Sequence, residues 1–326
     1  WIVTAYLVAY IAAMPLAGRA SDRFGLPGLM IAALIVFAVG SVICGAASSL
    51  EMLVLGRVVQ GAGAGAILPV ATAGASHLYE GHARSRSLGF IGAATFLGMA
   101  IGPVLGALIL EHLQLRDALA SAGIWGGTLV DLLTPAWRWV FYITAPLAIL
   151  AAIYVWAAEP GWDVEPGSSR LDAAGAALFR IALTTGLLAM SLIGDEPGDL
   201  PVIPISAVIA VVTGVLAVRH MLRTPEPFLD LRLFANRVFS GAVLVSVLTG
   251  YALATAIVGM AAFIDRVRFA GPEEQGIVLG PMALFMAIGA FVAGFLARRF
   301  DATTVTLVGL ATSVVGLLWL STTRID

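Results

Sequence analysis

Arg57 and Gln60 stand three residues apart in an apolar run that begins at Leu50, so a helix would set them nearly one turn apart on neighbouring faces. An arginine deep in a membrane span costs about 2.5–3.5 kcal/mol to insert, and it faces a cavity or a partner. Arg57 lies about one third into the run, too deep for snorkelling to be assured. Two roles stay open for it: an electrostatic element in a cavity, or a carbonyl-bonded arginine that fixes helix packing. Gly61 follows at once, and with Gly63 and Gly65 it permits close helix approach. A second pattern is Gly98, Gly102 and Gly106, spaced by four and sharing one helix face, with Pro103 among them as a bend. A third is the break Gly18–Gly28, where Arg19, Asp22 and Arg23 sit among Gly18, Gly25, Pro27 and Gly28. Taken alone, Asp22 and Arg23 form a solvated pair of small energetic value.

Other chemistry is sparse. His77, His82, His112 and His220 lie at the edges of apolar runs without metal-ligand spacing, so no metal is expected. No nucleophile elbow occurs, and the glycines at 61–65 are not followed by the Lys-Ser/Thr of a phosphate loop. No Asp or Glu lies at mid-depth; Asp172, Asp265 and Asp301 are all near run ends. A membrane-embedded enzyme would need a cluster of polar groups at one depth, and the sequence offers none, so no enzyme and no cofactor is expected. The lone Cys44 excludes an intrachain disulfide and reads as a packing residue. A net charge of −2 argues against a nucleic-acid partner.

The elements that must carry these residues are membrane helices. Hydrophobic residues make up 60% of the 326 and charged ones only 12%, against the roughly 25% charged of soluble domains. Apolar runs of roughly 17–25 residues recur along the chain, each long enough to cross a bilayer as a helix. Ten spans are expected, near 1–17, 28–48, 50–76, 88–110, 138–157, 173–193, 201–219, 239–263, 276–297 and 303–322. A polar hinge at His77–Ser87 separates two of them. Glu111–Pro135 reads as a surface loop with an interfacial helix near Trp125, and Glu159–Asp172, with two Pro-Gly pairs, reads as a linker. All eighteen basic residues are arginine. If the break at Gly18–Gly28 is cytoplasmic, eleven arginines fall on its side and five opposite, the bias expected of cytoplasmic loops. Gly294–Asp301 echoes that break, with Gly18/Gly294, Arg23/Arg299 and Phe24/Phe300 in register, which suggests a duplicated architecture.

Together these residues resemble the major facilitator superfamily. G-R-A-S-D-R-F-G at Gly18–Gly25 is similar to its loop signature, L-G-R-V-V-Q-G-A-G-A-G at Leu55–Gly65 to its arginine-bearing span, and G-M-A-I-G-P-V-L-G at Gly98–Gly106 to its antiporter motif. W-R-W-V-F-Y-I-T-A-P at Trp137–Pro146 resembles the sixth span of the drug:proton antiporters, and W-I-V-T-A-Y, L-D-A-A-G-A-A-L and F-L-D-L-R-L-F-A-N-R resemble the fourteen-span branch. The resemblance implies an all-α polytopic membrane protein with two pseudo-symmetric bundles and two intervening helices. The N-terminal bundle would occupy 1–157, a linker and two extra helices 158–237, and the start of a C-terminal bundle 238–326. The chain would hold helices two to eleven of fourteen, with residues missing at both ends.

The resemblance further implies proton-driven antiport by alternating access, exporting small amphipathic compounds or drugs. A nutrient importer and a non-transporting sensor or scaffold are the alternatives. Gly18, Asp22, Arg23 and Gly25 would form a conformational latch, with Asp22 set against a helix end. Arg57, Gln60 and Gly61 would serve proton coupling in a cavity. Gly98, Gly102, Pro103 and Gly106 would seal one side by helix packing, and a bulky residue at Gly102 would abolish or uncouple exchange. In this branch an acid often sits in the first helix. The expected partners are a small-molecule substrate, protons and the lipid bilayer, for a monomer in a bacterial plasma membrane.

Overall fold

Runs of Leu, Val, Ile and Ala with few breakers fold as helices because a bilayer offers the backbone no other hydrogen-bond partner. In the computed structural model, eleven α-helices are described. They are α1 Ile2–Phe24, α2 Leu26–Ala46, α3 Leu50–Leu78, α4 Gly81–His112, α5 Thr128–Leu133, α6 Ala136–Ala158, α7 Ala173–Ser191, α8 Val202–Arg223, α9 Arg237–Arg266, α10 Pro272–Leu296 and α11 Ala302–Thr322. A 3-10 turn covers Leu231–Ala235, and no strand occurs among the described residues. The structure describes every residue except 114, 116–118, 120, 122–125, 159–171, 194–201, 228, 268, 270–271 and 323–326. Among the helices only the backbone is described at Arg19, Asp22, Arg23, Pro103 and seven other positions. The 159–171 linker and Trp125 therefore lie outside the described residues, and so do the side chains of Asp22, Arg23 and Pro103.

Nine described helices are long and apolar enough to cross a membrane, and the apolar part of the first, Ile2–Gly18, is shorter. Two expected breaks are much tighter than the sequence suggests. α1 runs through the charged residues to Phe24, and the chain turns at Gly25 alone, with φ +75°. A Cβ would strain that backbone, and Pro27 then falls in the first turn of α2, where its missing N–H is harmless. Gly18 is helical and no described atom lies within 4 Å of the place its Cβ would take. The polar hinge at His77–Ser87 likewise shrinks to Tyr79–Glu80, because Gly81 supplies a turn at φ +52° and α4 starts there. In the echo of the first break, α11 begins at Ala302, the register equivalent of Leu26, and Asp301 stands where Gly25 stands.

The chain divides into two compact units, Trp1–Gly74 with Ile109–Arg237, and Ala75–Leu108 with Val238–Asp326. In the first unit α2 packs along α6, α7 packs along α8, and α1 touches both α2 and α7. Its core is built mostly of alanine and small apolar residues: Ala17, Ala33, Ala38, Ala66, Val70, Ala145, Ala148 and Ala152 are all buried. Small side chains let helices approach closely where lipid gives no hydrophobic drive for association. Asp172 caps α7 by accepting from the Gly175 amide at 2.8 Å and binds His220 of α8 at 2.8 Å, which ties the two helix ends together. In the second unit α4 crosses α10 at Gly89 and Gly294, where a Cβ on Gly89 would stand 2.9 Å from the Gly294 Cα. Phe90 meets Phe291 edge to face beside that crossing.

Candidate functional site

α3 presents two faces to its neighbours in the first unit. Arg57, Gly61 and Gly65 follow at intervals of four and meet Ile2, Tyr6 and Tyr10 of α1, also at intervals of four. The Arg57 Nε donates to the Ile2 carbonyl at 3.1 Å, while a Cβ on Gly61 would collide with the Tyr6 carbonyl and one on Gly65 with the Tyr10 carbonyl. Both series ascend together, so α1 and α3 run parallel. The other face carries Gly56, Gln60 and Gly63. A Cβ on Gly56 would lie 2.8 Å from the Cys44 Sγ, and one on Gly63 would lie 2.5 Å from the Phe37 amide nitrogen. Here the series run in opposite directions, so α2 and α3 are antiparallel. The glycines of the sequence pattern are therefore packing residues on two faces.

Arg57 and Gln60 are joined. The Arg57 Nη1 donates to the Gln60 Oε1 at 2.7 Å, and the Gln60 Nε2 donates to the Ser41 hydroxyl at 2.8 Å. Ser41 donates to the Phe37 carbonyl at 2.9 Å, and the Thr144 hydroxyl of α6 lies 3.2 Å from that of Ser41. The guanidinium also sits over the Tyr6 ring, 4.3 Å from its centroid, a distance at which the ring quadrupole attracts a cation. Gln60 and Ser41 are fully buried and Arg57 is half-buried. This polar knot runs through α1, α2, α3 and α6. It satisfies the buried groups one after another, as a low-dielectric site requires. No carboxylate pairs with Arg57 among the described residues.

Beside the knot is an apolar cavity of about 650 Å³, within the roughly 300–1,000 Å³ of small-molecule pockets. Thr4, Val8 and Ala12 of α1, Val36 of α2, and Val54 and Val58 of α3 line it. α7 contributes Arg180, Thr184 and Leu188. None of Arg57, Gln60 and Gly61 lines this cavity: the neighbouring residues Val58 and Ala62 do. The three are brought together, but as a packed and bonded group at the cavity's flank. Sequence reasoning missed Arg180, although a lone arginine inside an apolar run is the signal that singled out Arg57. It also missed Ser41, Thr144 and Tyr6, which carry no local signal because their partners come from other helices.

Gly98, Gly102 and Gly106 depart from the close packing expected of them. No described atom lies within 4 Å of where a Cβ would stand on any of the three. Gly102 instead borders a second apolar cavity, of about 320 Å³, with Met99, Ile257, Leu279, Met282 and Met286. α4 makes its close contact elsewhere, at Gly89 with Gly294, while a Cβ on Gly280 would meet Val104 and Ala100 only at ordinary van der Waals distance. No group of His, Cys, Asp and Glu able to hold a metal occurs among the described residues.

The model of the Major Facilitator Superfamily matches residues 1–325, and the chain belongs to that family. Among curated proteins it is 36% identical over 322 residues to a triacylglyceride transporter of Mycolicibacterium hassiacum, covering 97% of this chain and 55% of that protein. It is 34% identical over 330 residues to a triacylglyceride transporter of Mycolicibacterium smegmatis, covering 100% of this chain and 55% of the relative. To multidrug resistance protein 3 of Bacillus subtilis it is 26% identical over 323 residues, 98% of this chain and 58% of the relative. The chain thus spans little more than half the length of these relatives. It is a multi-pass membrane protein of the major facilitator fold.

Proposed function

We propose that this chain is the transporting core of a proton-driven antiporter that exports amphipathic or lipid-like compounds by alternating access. The observation that carries the substrate class is the apolar cavity of about 650 Å³, walled mostly by Ala, Val and Leu with Arg180, Thr184 and Thr4 as polar points. Such a wall retains an apolar body by area and rejects compounds whose many polar groups would go unpaired. The names of the relatives, triacylglyceride transporters and a multidrug resistance protein, support the same class.

Arg57 serves coupling through its field and not as a carrier, because a guanidinium does not deprotonate at physiological pH. Gln60 and Ser41 hold it in place, and the proton-carrying acid is another residue. The test is exchange in proteoliposomes of the full-length protein with an imposed pH gradient and a labelled diacylglycerol or lipophilic dye. Wild type should exchange label against protons, whereas Arg57→Ala and Arg57→Lys, matched for reconstituted protein, should lose gradient-driven exchange. Exchange that ignores the gradient in wild type would remove the antiporter reading. Gradient-driven exchange that survives in Arg57→Ala would remove the role assigned to Arg57. No exchange of any apolar substrate would favour a sensor or scaffold.

A further inference from the structure

The second unit contains a basic pocket at the echo of the first break, apart from the Arg57–Gln60–Ser41 network. A cavity of about 620 Å³ is lined by His82 from the first turn of α4 and by Arg298 and Arg299 from the turn after α10. Phe291, Phe295 and Leu296 form its other wall and are themselves exposed. The crossing of Gly89 on Gly294 builds this arrangement: a side chain at either position would push the helices apart. His82 lies two turns before Gly89, and the arginines lie one turn after Gly294.

The two arginines have no carboxylate partner within 4 Å among the described residues. The acids nearest in sequence, Glu80 and Asp301, do not line the cavity. Asp301 is occupied elsewhere, capping α11 by accepting from the Thr304 amide at 3.2 Å and the Thr304 hydroxyl at 2.5 Å. Two permanent positive charges and an imidazole converge on a hollow whose other wall is aromatic and aliphatic. An anion with an apolar body satisfies both sides at once. The Arg298 guanidinium stands over the Phe295 ring, 5.8 Å from its centroid; a small free anion would leave the Phe291–Leu296 wall unused, and a neutral lipid would give the two guanidinium groups no counter-charge. The arginine bias also sets this turn on the cytoplasmic side, where anionic leaflet lipids attract basic juxtamembrane groups.

We propose that this pocket binds one anionic phospholipid of the cytoplasmic leaflet. Its phosphate lies between Arg298 and Arg299, and its upper acyl chain lies along Phe291 and Phe295. Arginine suits the task because its planar fork meets phosphate oxygens in pairs.

The experiment is native mass spectrometry of the full-length protein in neutral detergent, titrated with phosphatidylglycerol or with phosphatidylcholine. Wild type should retain one phosphatidylglycerol in preference to phosphatidylcholine. The double variant R298Q/R299Q should bind it about thirty-fold more weakly, given roughly a factor of five for each basic residue near an anionic surface. R298K/R299K, which keeps the charge, should hold most of the affinity. R219Q/R223Q, which removes two arginines from the end of α8, should leave it unchanged. Matching elution and melting of each variant in lipid-free detergent establishes that it is folded. Equal binding by R298Q/R299Q and wild type would overturn the proposal. So would an equal loss in R219Q/R223Q, which marks diffuse surface attraction. Displacement of the lipid by millimolar inorganic phosphate would assign the pocket to a free anion instead.

Discussion

At the residue scale, the centre of the first unit is the chain of bonds from Ile2 through Arg57, Gln60 and Ser41. Gln60 is its hinge: one amide group accepts from a cation of its own helix and donates to a hydroxyl of α2. Neither neighbour has a full substitute. Ser41 can still use the Phe37 carbonyl, but the Arg57 Nη1 would face a buried gap. Leaving such a donor unpaired costs about 1–3 kcal/mol, more for a charged group. Gln60→Leu should therefore lower the detergent-melting midpoint of the purified protein by several degrees, whereas Thr144→Val should barely change it. The Thr144 hydroxyl has one proton, and the Phe141 carbonyl of its own helix takes it at 2.7 Å, so the longer 3.2 Å approach to Ser41 adds no second full bond. Equal melting of Gln60→Leu and wild type would mean that water replaces the lost partner and that the knot is not closed.

At the element scale, glycines with the same four-residue spacing do opposite things. Gly61 and Gly65 seat α3 against the backbone of α1, and Gly40, Gly56 and Gly63 seat it against α2. No described atom lies within 4 Å of a Cβ on Gly98, Gly102 or Gly106, and Gly102 borders a cavity. A methyl group on Gly65 must push a carbonyl away, and packed interiors resist such overpacking by about 1–3 kcal/mol. Gly65→Ala should thus reduce folded yield and melting temperature, while Gly102→Ala should leave both unchanged. If Gly102→Ala melts as wild type yet transports poorly, the glycine face acts in a different conformation of the transport cycle. If Gly102→Ala destabilises as much as Gly65→Ala, the open face assigned to α4 is wrong. Spacing alone cannot separate the two groups of glycines, because a four-residue period names a helix face without naming what lies opposite. The pair Arg57 and Gln60 was legible because both residues lie on one helix. Tyr6, Ser41 and Thr144 were not, since their partners lie on other helices, from 19 residues away for Ser41 and Gln60 to 103 for Thr144 and Ser41, and no local pattern marks them.

At the scale of the whole molecule, hydropathy was enough to place the helices, because a bilayer requires long apolar helices and the sequence has little else. Their ends were harder to place. The charged residues at 19–23 and 82–87 suggested loops, yet helices continue through them because polar side chains at a membrane edge do not stop a helix. The turns fall where glycine permits positive φ, at Gly25 and Gly81. Orientation rests on a different signal, the eleven-to-five arginine bias, and labelling can check it directly. Cys44 is fully buried between α2 and α3, so the wild-type chain should be almost blank to a membrane-impermeant maleimide. Added thiols can then report sidedness. Ser48→Cys lies in the exposed turn between α2 and α3, Arg84→Cys in the exposed first turn of α4, and Arg232→Cys in the exposed 3-10 turn. A span separates the first position from the second, so the two must lie on opposite sides. In intact cells Ser48→Cys should react, and Arg84→Cys and Arg232→Cys should not. Inside-out vesicles should reverse the pattern. Labelling of Arg84→Cys from outside with Ser48→Cys protected would invert the molecule, and the basic pocket at Arg298 and Arg299 would then face the outer leaflet. Labelling of Arg84→Cys and Arg232→Cys from opposite sides would mean that one of α4, α6, α7 and α8 does not cross the membrane, because four crossings lie between those positions.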